Sequence, residues 1–344
     1  MKQAKLVGEK ELAFEEVDRP KPSEEEVLIR VKACGICGSD IHSYQGEHPF
    51  VHPPIVLGHE FSGTIEEAGD RAGDLSVGDK VVVEPNITCG ECYNCKHGRY
   101  NICDNLQVIG NVGYDGAFAD YISVPAEKAL RIPDEMTFEE GALVEPAAVG
   151  VHAVRISEQK IGDRVLIIGA GTIGLVTMVS AKMAGASEIM VTDLEDDRLE
   201  RAKKLGADHL VNTGDLEGSP GELIEKKFRE AGTDIIYDCV GFENTLNQAI
   251  EVARKGTQIM LVGVPKGELS VNMAFVQDRE LDIQGSLMYV KKDFETAIQM
   301  LDRGLIEADD LITHRFDFDE LEEAFELAID TTTNDEKLKV MVNF

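Results

Sequence analysis

Residues 165–174 read Val-Leu-Ile-Ile-Gly-Ala-Gly-Thr-Ile-Gly, a β-like apolar run entering a glycine turn that opens into a helix-length segment, Thr172–Ala184. Three glycines at this spacing mean little alone and a great deal between a strand and a helix. Gly169 permits the tight turn, Gly171 lets backbone come close to a phosphate, and Gly174 lets helix and strand pack. Thr172 and Ile173 begin the helix, whose amides and partial positive charge suit a pyrophosphate. Asp193 follows nineteen residues after Gly174, at the end of the next β-like run. A carboxylate there can bind both ribose hydroxyls and repels a 2′-phosphate. Glu195, Asp196 and Asp197 add to that repulsion, and Arg198 is the one basic group nearby, able to reach a ribose hydroxyl or a phosphate. NAD is therefore the expected cofactor, in preference to NADP.

The texture around this turn is consistent with it. Between about 151 and 285, β-like runs alternate with helix-length segments, as in a doubly wound parallel α/β sheet of the Rossmann type. The expected strands are Arg164–Ile168, Glu188–Thr192, Ile235–Cys239, Gln258–Val262 and Leu281–Gly285, with an amphipathic helix at Asp196–Leu205. Residues 1–150 differ, being rich in Gly, Pro, His and Cys, with short β-like runs such as Val27–Val31, Ser62–Glu66, Lys80–Val83 and Ala119–Val124. They predict a mostly β domain with long loops. Residues 286–344 hold two helical segments, near Asp293–Arg303 and Asp319–Ile329, and a last strand at Leu338–Val342.

Seven cysteines, an odd number, argue against a disulfide framework in a reducing compartment and for metal ligation. Cys89, Cys92, Cys95 and Cys103 fall within fifteen residues. Four thiolates complete a tetrahedral zinc shell and leave no vacant position, so this site is structural. Free or oxidised thiols are the bland alternative. A second group is mixed: Cys37-Gly-Ser-Asp-Ile-His42, then Gly58-His59-Glu60, then Val144-Glu145-Pro146. Three protein ligands and one open position make a catalytic zinc site, although a single Cys, His or Glu is more often a packing or surface residue.

The 34 basic and 64 acidic residues give a formal net charge of −30. That excess disfavours nucleic acid or an anionic membrane as a partner. A salty cytoplasm is one explanation of it, an ordinary acidic protein the other. No run approaches the length of a membrane-spanning helix and the N-terminus is charged, so the expected location is the cytoplasm.

Taken together, these motifs resemble the zinc-containing medium-chain dehydrogenase/reductase superfamily, and within it the sorbitol, 2,3-butanediol and threonine dehydrogenases. The resemblance runs through Gly35-Ile-Cys-Gly-Ser-Asp-Ile-His42, Gly58-His-Glu-Phe-Ser-Gly63 and the four-cysteine loop. It continues in Ala142-Leu-Val-Glu-Pro-Ala-Ala-Val-Gly-Val-His152, the glycine turn with Asp193, and Thr313-His-Arg-Phe316. It implies a GroES-like catalytic domain that begins and ends the chain, with the Rossmann domain inserted and the substrate in the cleft between them.

The resemblance also implies that Cys37 and His59 hold a catalytic zinc, with Glu60 the expected third ligand and Glu145 either binding or holding the zinc-bound water. Asp40 would orient the histidine ligand. Zinc would stabilise the alkoxide of a secondary alcohol, hydride would pass to NAD, and Ser39 and His42 would relay the proton. Tyr44 and His48 are candidate pocket residues, while Cys34 and Cys239 read as packed thiols. Sorbitol dehydrogenases place an arginine where Met288 stands in Gly285-Ser-Leu-Met-Tyr289, which favours a smaller diol over a long polyol. Threonine, a sugar acid or a sugar phosphate is the alternative substrate, and a non-catalytic protein on the same scaffold is the rival class. The resemblance implies a homotetramer, with a dimer the other option.

Overall fold

The computed structural model describes residues 1–214, 228, 232–330 and 337–344. The chain forms two compact units, one of residues 1–145 with 290–344 and the other of residues 146–289.

The first unit is built on a seven-stranded sheet. Its order is Ala129–Arg131, Lys80–Val83, Glu60–Ala68, Glu26–Ile36, Lys339–Asn343 and Ile312–Asp317, with Tyr121–Pro125 also pairing to Glu26–Ile36. The last two strands run parallel to one another, and the other pairings are antiparallel. Glu26–Ile36 is the spine, because apolar residues fill both of its faces: Val27, Leu28, Ile29, Val31 and Ala33 are all buried. Its far end pairs Gly35 with Glu60 and Ile36 with Val340, so three distant parts of the chain meet there. An N-terminal hairpin, Lys2–Gly8 with Glu11–Glu16, lies in a smaller sheet.

The second unit holds six parallel strands in the order His209–Asn212, Glu188–Asp193, Arg164–Ile168, Ile235–Asp238, Gln258–Leu261 and Asp282–Gly285. Numbered along the chain this is 3-2-1-4-5-6, the Rossmann order, which reverses beside its first strand. Leu166, Met190, Ile236 and Ile259 lie in its core, against Leu246 and Ile250 of the helix Glu243–Val252. Burial on both faces explains why the central strands Glu188–Asp193, Arg164–Ile168 and Ile235–Asp238 read as apolar runs. The α/β class, with a mostly β domain and an inserted parallel sheet, is as the sequence predicts. No helix among the described residues is long and apolar enough to cross a membrane.

The predicted strands of the second unit agree with the observed ones to within one residue at either end. Among the elements not foreseen are the N-terminal hairpin, the strands His209–Asn212 and Ile312–Asp317, and the helices Gly38–Tyr44 and Val144–Ile156.

Candidate functional site

The sulfurs of Cys89, Cys92, Cys95 and Cys103 lie within 4.8 Å of one another, with separations of 3.5–4.0 Å across three of the pairs. A tetrahedral shell with zinc–sulfur bonds of about 2.3 Å has edges of about 3.8 Å. Backbone amides face the sulfurs: Cys92 N lies 3.4 Å from Cys89 Sγ and Cys95 N lies 3.5 Å from Cys92 Sγ. The amides of Glu91 and Cys92 hold the Cys89 thiol down to about 6, whereas burial and the neighbouring sulfurs push Cys95 up to about 12. Crowded sulfurs of this kind suit a divalent cation. Tyr100, inside the same loop, accepts a hydrogen bond from Lys291 N at 2.5 Å, and Lys128 Nζ lies 5.1 Å from its ring centre. These contacts tie the loop to the rest of its unit.

The second cluster sits where the spine strand ends. Cys37 precedes the short helix Gly38–Tyr44, His59 precedes the strand Glu60–Ala68, and Glu60 opens it. One ligand atom from each of Cys37, His59 and Glu60 falls within 4.8 Å of the others. Asp40 organises both halves. Its Oδ2 accepts from Cys37 N at 2.9 Å, and its Oδ1 lies 3.4 Å from His59 Nδ1. Burial works against charging His59, but the adjacent Asp40 and Cys37 outweigh it and hold its pKa well above the ordinary value. A buried imidazole drawn toward protonation by acidic neighbours marks a place for positive charge, and a bound dication would fill it with the ring neutral. The donor set of sulfur, nitrogen and oxygen is that of a catalytic zinc site.

Ser39 Oγ lies 3.5 Å from His59 Nε2. His42, three residues further along the same helix, shares its face with Ser39 and places Nδ1 3.6 Å from Glu47 Oε2. Glu145 is buried at the start of the helix Val144–Ile156, outside the converging trio, and its charge acts on Lys339. His48 Nδ1 accepts from the amides of Phe50 and Val51, which fixes the ring and leaves its proton on Nε2. Tyr44 is not a pocket residue. It is buried, with its ring 4.7 Å from that of Phe325, because its position on the helix faces the core.

In the other unit the glycine turn joins the strand Arg164–Ile168 to the helix Thr172–Met183, with Gly171 as the residue before the helix. Asp193, at the tip of the adjacent strand, accepts from Ala170 N, Leu194 N and Glu195 N. Its carboxylate is fixed beside the turn with one lone-pair position to spare. Arg198 is half-buried on the following helix, Asp196–Lys204.

Residues 23–134 match the alcohol dehydrogenase GroES-like domain, and residues 172–303 match the zinc-binding dehydrogenase domain. The sorbitol dehydrogenase of Bacillus subtilis is 37% identical over 99% of this chain and 97% of its own length. The chain belongs to the zinc-type alcohol dehydrogenase family. The L-idonate 5-dehydrogenase of Vitis vinifera is also 37% identical, over 98% of this chain and 93% of its own. The crystal structure of 2R,3R-butanediol dehydrogenase from Bacillus subtilis superposes with a TM-score of 0.90 at 31% identity, covering 100% of this chain and 99% of that one. This alcohol dehydrogenase is accordingly an oxidoreductase with zinc and a nicotinamide nucleotide as its cofactors.

One residue of the site escaped the sequence. Lys339 is buried, and its ammonium holds both oxygens of Glu60. The signal was present: a lysine lies inside the terminal strand, whose Val340, Met341 and Val342 are all buried. A lysine in such a strand requires a carboxylate partner.

Proposed function

We propose that the protein oxidises a secondary alcohol of the diol or polyol class to a ketone, with NAD as oxidant and a catalytic zinc at Cys37, His59 and Glu60. The observation that carries this is the convergence of those three ligand atoms within 4.8 Å, next to the Ser39 hydroxyl. Zinc at that place supplies Lewis acidity, which makes an alcohol proton easier to lose. NAD supplies the hydride acceptor. Asp40 holds the His59 ring. Ser39 Oγ accepts the alcohol proton as it gives up its own hydroxyl proton, and His42, one helical turn along, hands a proton on to water. The glycine turn cradles the pyrophosphate and Asp193 holds the ribose. Cys89, Cys92, Cys95 and Cys103 hold a second zinc that orders their loop.

On this reading the 1–145 and 290–344 unit is the catalytic domain and the 146–289 unit binds NAD. Sorbitol, L-idonate and 2,3-butanediol all carry neighbouring secondary hydroxyls, which supports a substrate with that grouping. Met288, a thioether where a cation would grip a longer polyol, favours butanediol-sized substrates. We place the enzyme in the cytoplasm as a homotetramer.

The test is NADH formation, followed at 340 nm, on protein of measured zinc content. The panel comprises the 2,3-butanediol isomers, sorbitol, xylitol, L-idonate and threonine. The expected result is two zinc ions per chain and turnover of a diol or polyol, with the smaller diols favoured. Turnover of threonine or L-idonate alone would move the substrate to an acid. Zinc only in the four-cysteine loop, with no turnover after zinc is resupplied, would remove the metal assignment of Cys37, His59 and Glu60.

A further inference from the structure

Tyr100, in the four-cysteine loop, caps a helix that begins 191 residues later. The opening amides of the helix Lys291–Asp302 have no carbonyl one turn earlier to bond. Asp293 folds back to take the amide of Val290 at 2.8 Å, and the amide of Lys291 donates to the Tyr100 hydroxyl at 2.5 Å. That hydroxyl is held in turn. It hydrogen-bonds to the Glu84 carboxylate, which is 1% exposed and has Lys128 Nζ 3.7 Å away. Burial and the Glu84 charge raise the Tyr100 pKa well above its ordinary value, so the hydroxyl keeps its proton for Glu84 and a lone pair for Lys291. The stretch leading into this helix is strained. Met288, three residues before Lys291, has φ +54°, a conformation that a bulky side chain keeps only where its surroundings fix it. Upstream, Ser286 N donates to the Leu261 carbonyl. Downstream, Tyr289 is fully buried, and the amides of Val290 and Lys291 are both capped.

Resting on the reading that Met288 helps to choose the substrate, we propose that Tyr100 is a positioning residue for alcohol selection, acting through the Lys291 amide. By fixing the start of the helix it holds Met288 in its left-handed conformation and so sets where the thioether stands. The four-cysteine loop, which offers a substrate no vacant position, thereby takes part in substrate choice.

The test compares full-length variants with the wild type. Tyr100→Phe keeps the ring and removes the acceptor. Lys291→Pro removes the donor at the first helical position, where proline is well tolerated. Each should raise KM for the best alcohol substrate about fivefold, the scale of one hydrogen bond, with kcat and NADH affinity within about twofold of wild type. Each should also shift the ratio of kcat/KM for 2,3-butanediol to that for sorbitol. The double variant should show no more than either single change, because both break one bond. Lys291→Ala, which keeps the amide and loses the ammonium, should match the wild type. Hydrogen exchange gives a readout independent of turnover. Peptides covering residues 286–293 should exchange faster in Tyr100→Phe, and those of the parallel sheet should not change. Lys291→Pro leaves Glu84 and its partners intact, so it carries the test should Tyr100→Phe not fold. Unchanged KM and preference in a folded variant, additive effects in the double variant, or equal effects of Lys291→Ala and Lys291→Pro overturn the proposal alone. A wild type that oxidises no diol or polyol overturns the functional reading, and the proposal with it.

Discussion

Asp193 Oδ2 accepts a hydrogen bond from Ala170 N at 2.6 Å, joining the tip of one parallel strand to the glycine turn of its neighbour. Its Oδ1 accepts from Leu194 N and Glu195 N at 2.8 and 3.0 Å. The carboxylate is fixed before any ribose arrives. On the proposed reading, a nucleotide with free ribose hydroxyls would gain a hydrogen bond to a charged group there, worth about 1.5–3 kcal/mol, and one with a 2′-phosphate would meet repulsion. Replacing Asp193 by Asn should therefore raise KM for NAD by about 10–100-fold and narrow the preference for NAD over NADP. Steady-state kinetics with both nucleotides measures this, and an unchanged ratio would show that selection lies elsewhere.

Two glycines of the same turn should separate folding from binding. A Cβ on Gly174 would run into the Gly169 carbonyl, so Gly174→Ala must displace the helix Thr172–Met183 from its strand. A Cβ on Gly171 meets no atom within 4 Å and occupies only the space beside the turn. Gly171→Ala should keep the wild-type unfolding temperature and weaken NADH binding by at least about tenfold, because the backbone must come close to the pyrophosphate. Gly174→Ala should lower the unfolding temperature as well. Thermal unfolding and NADH fluorescence titration give both readouts. Equal unfolding temperatures for the two variants would contradict the packing role of Gly174.

The sequence was most legible where one local rule decides the structure. The glycine turn needs a strand before it and a helix after it, and both are where periodicity put them. The four cysteines are close in sequence, so their convergence needs no tertiary knowledge. His209–Asn212 escaped because four residues beginning with a histidine give no clear alternation. Gly38–Tyr44 escaped because its glycine and polar residues read as a ligand loop. What makes it a helix is Asp40 folding back onto Cys37 N. Tyr44 belongs to the core because that short helix turns it toward Phe325. The partnership of Lys339 with Glu60 spans most of the chain and depends on strand order, which no local pattern encodes.

The charge imbalance has a measurable consequence. With 64 acidic and 34 basic residues, net self-repulsion opposes compaction. Raising the salt from about 0.01 M to about 0.1 M shortens the screening length from about 30 Å to about 10 Å. Exposed pairs such as Arg71 with Glu24 and Glu25 weaken under the same change, but such pairs are worth little. The unfolding temperature should therefore rise with sodium chloride across this range. A flat or falling curve would mean that the acidic excess is already balanced locally.

The proton path can be tested through its two side chains. Ser39 Oγ stands 3.5 Å from His59 Nε2, at the metal cluster, and His42 lies one helical turn away, half-exposed, with Nδ1 3.6 Å from Glu47 Oε2. On the proposed relay, the proton that leaves Ser39 reaches solvent through His42. General acid–base groups contribute about 10²–10⁴-fold to rate, and the inner member of a relay has no substitute. Ser39→Ala should lower kcat by about 10²-fold or more with little change in KM for NAD. His42→Ala should cost less, since water can enter its place, and its deficit should shrink as pH rises and hydroxide takes over the outer step. The pH dependence of kcat for the two variants distinguishes these roles. A His42→Ala profile parallel to that of wild type would mean that the proton leaves by another route, and full activity in Ser39→Ala would remove the relay.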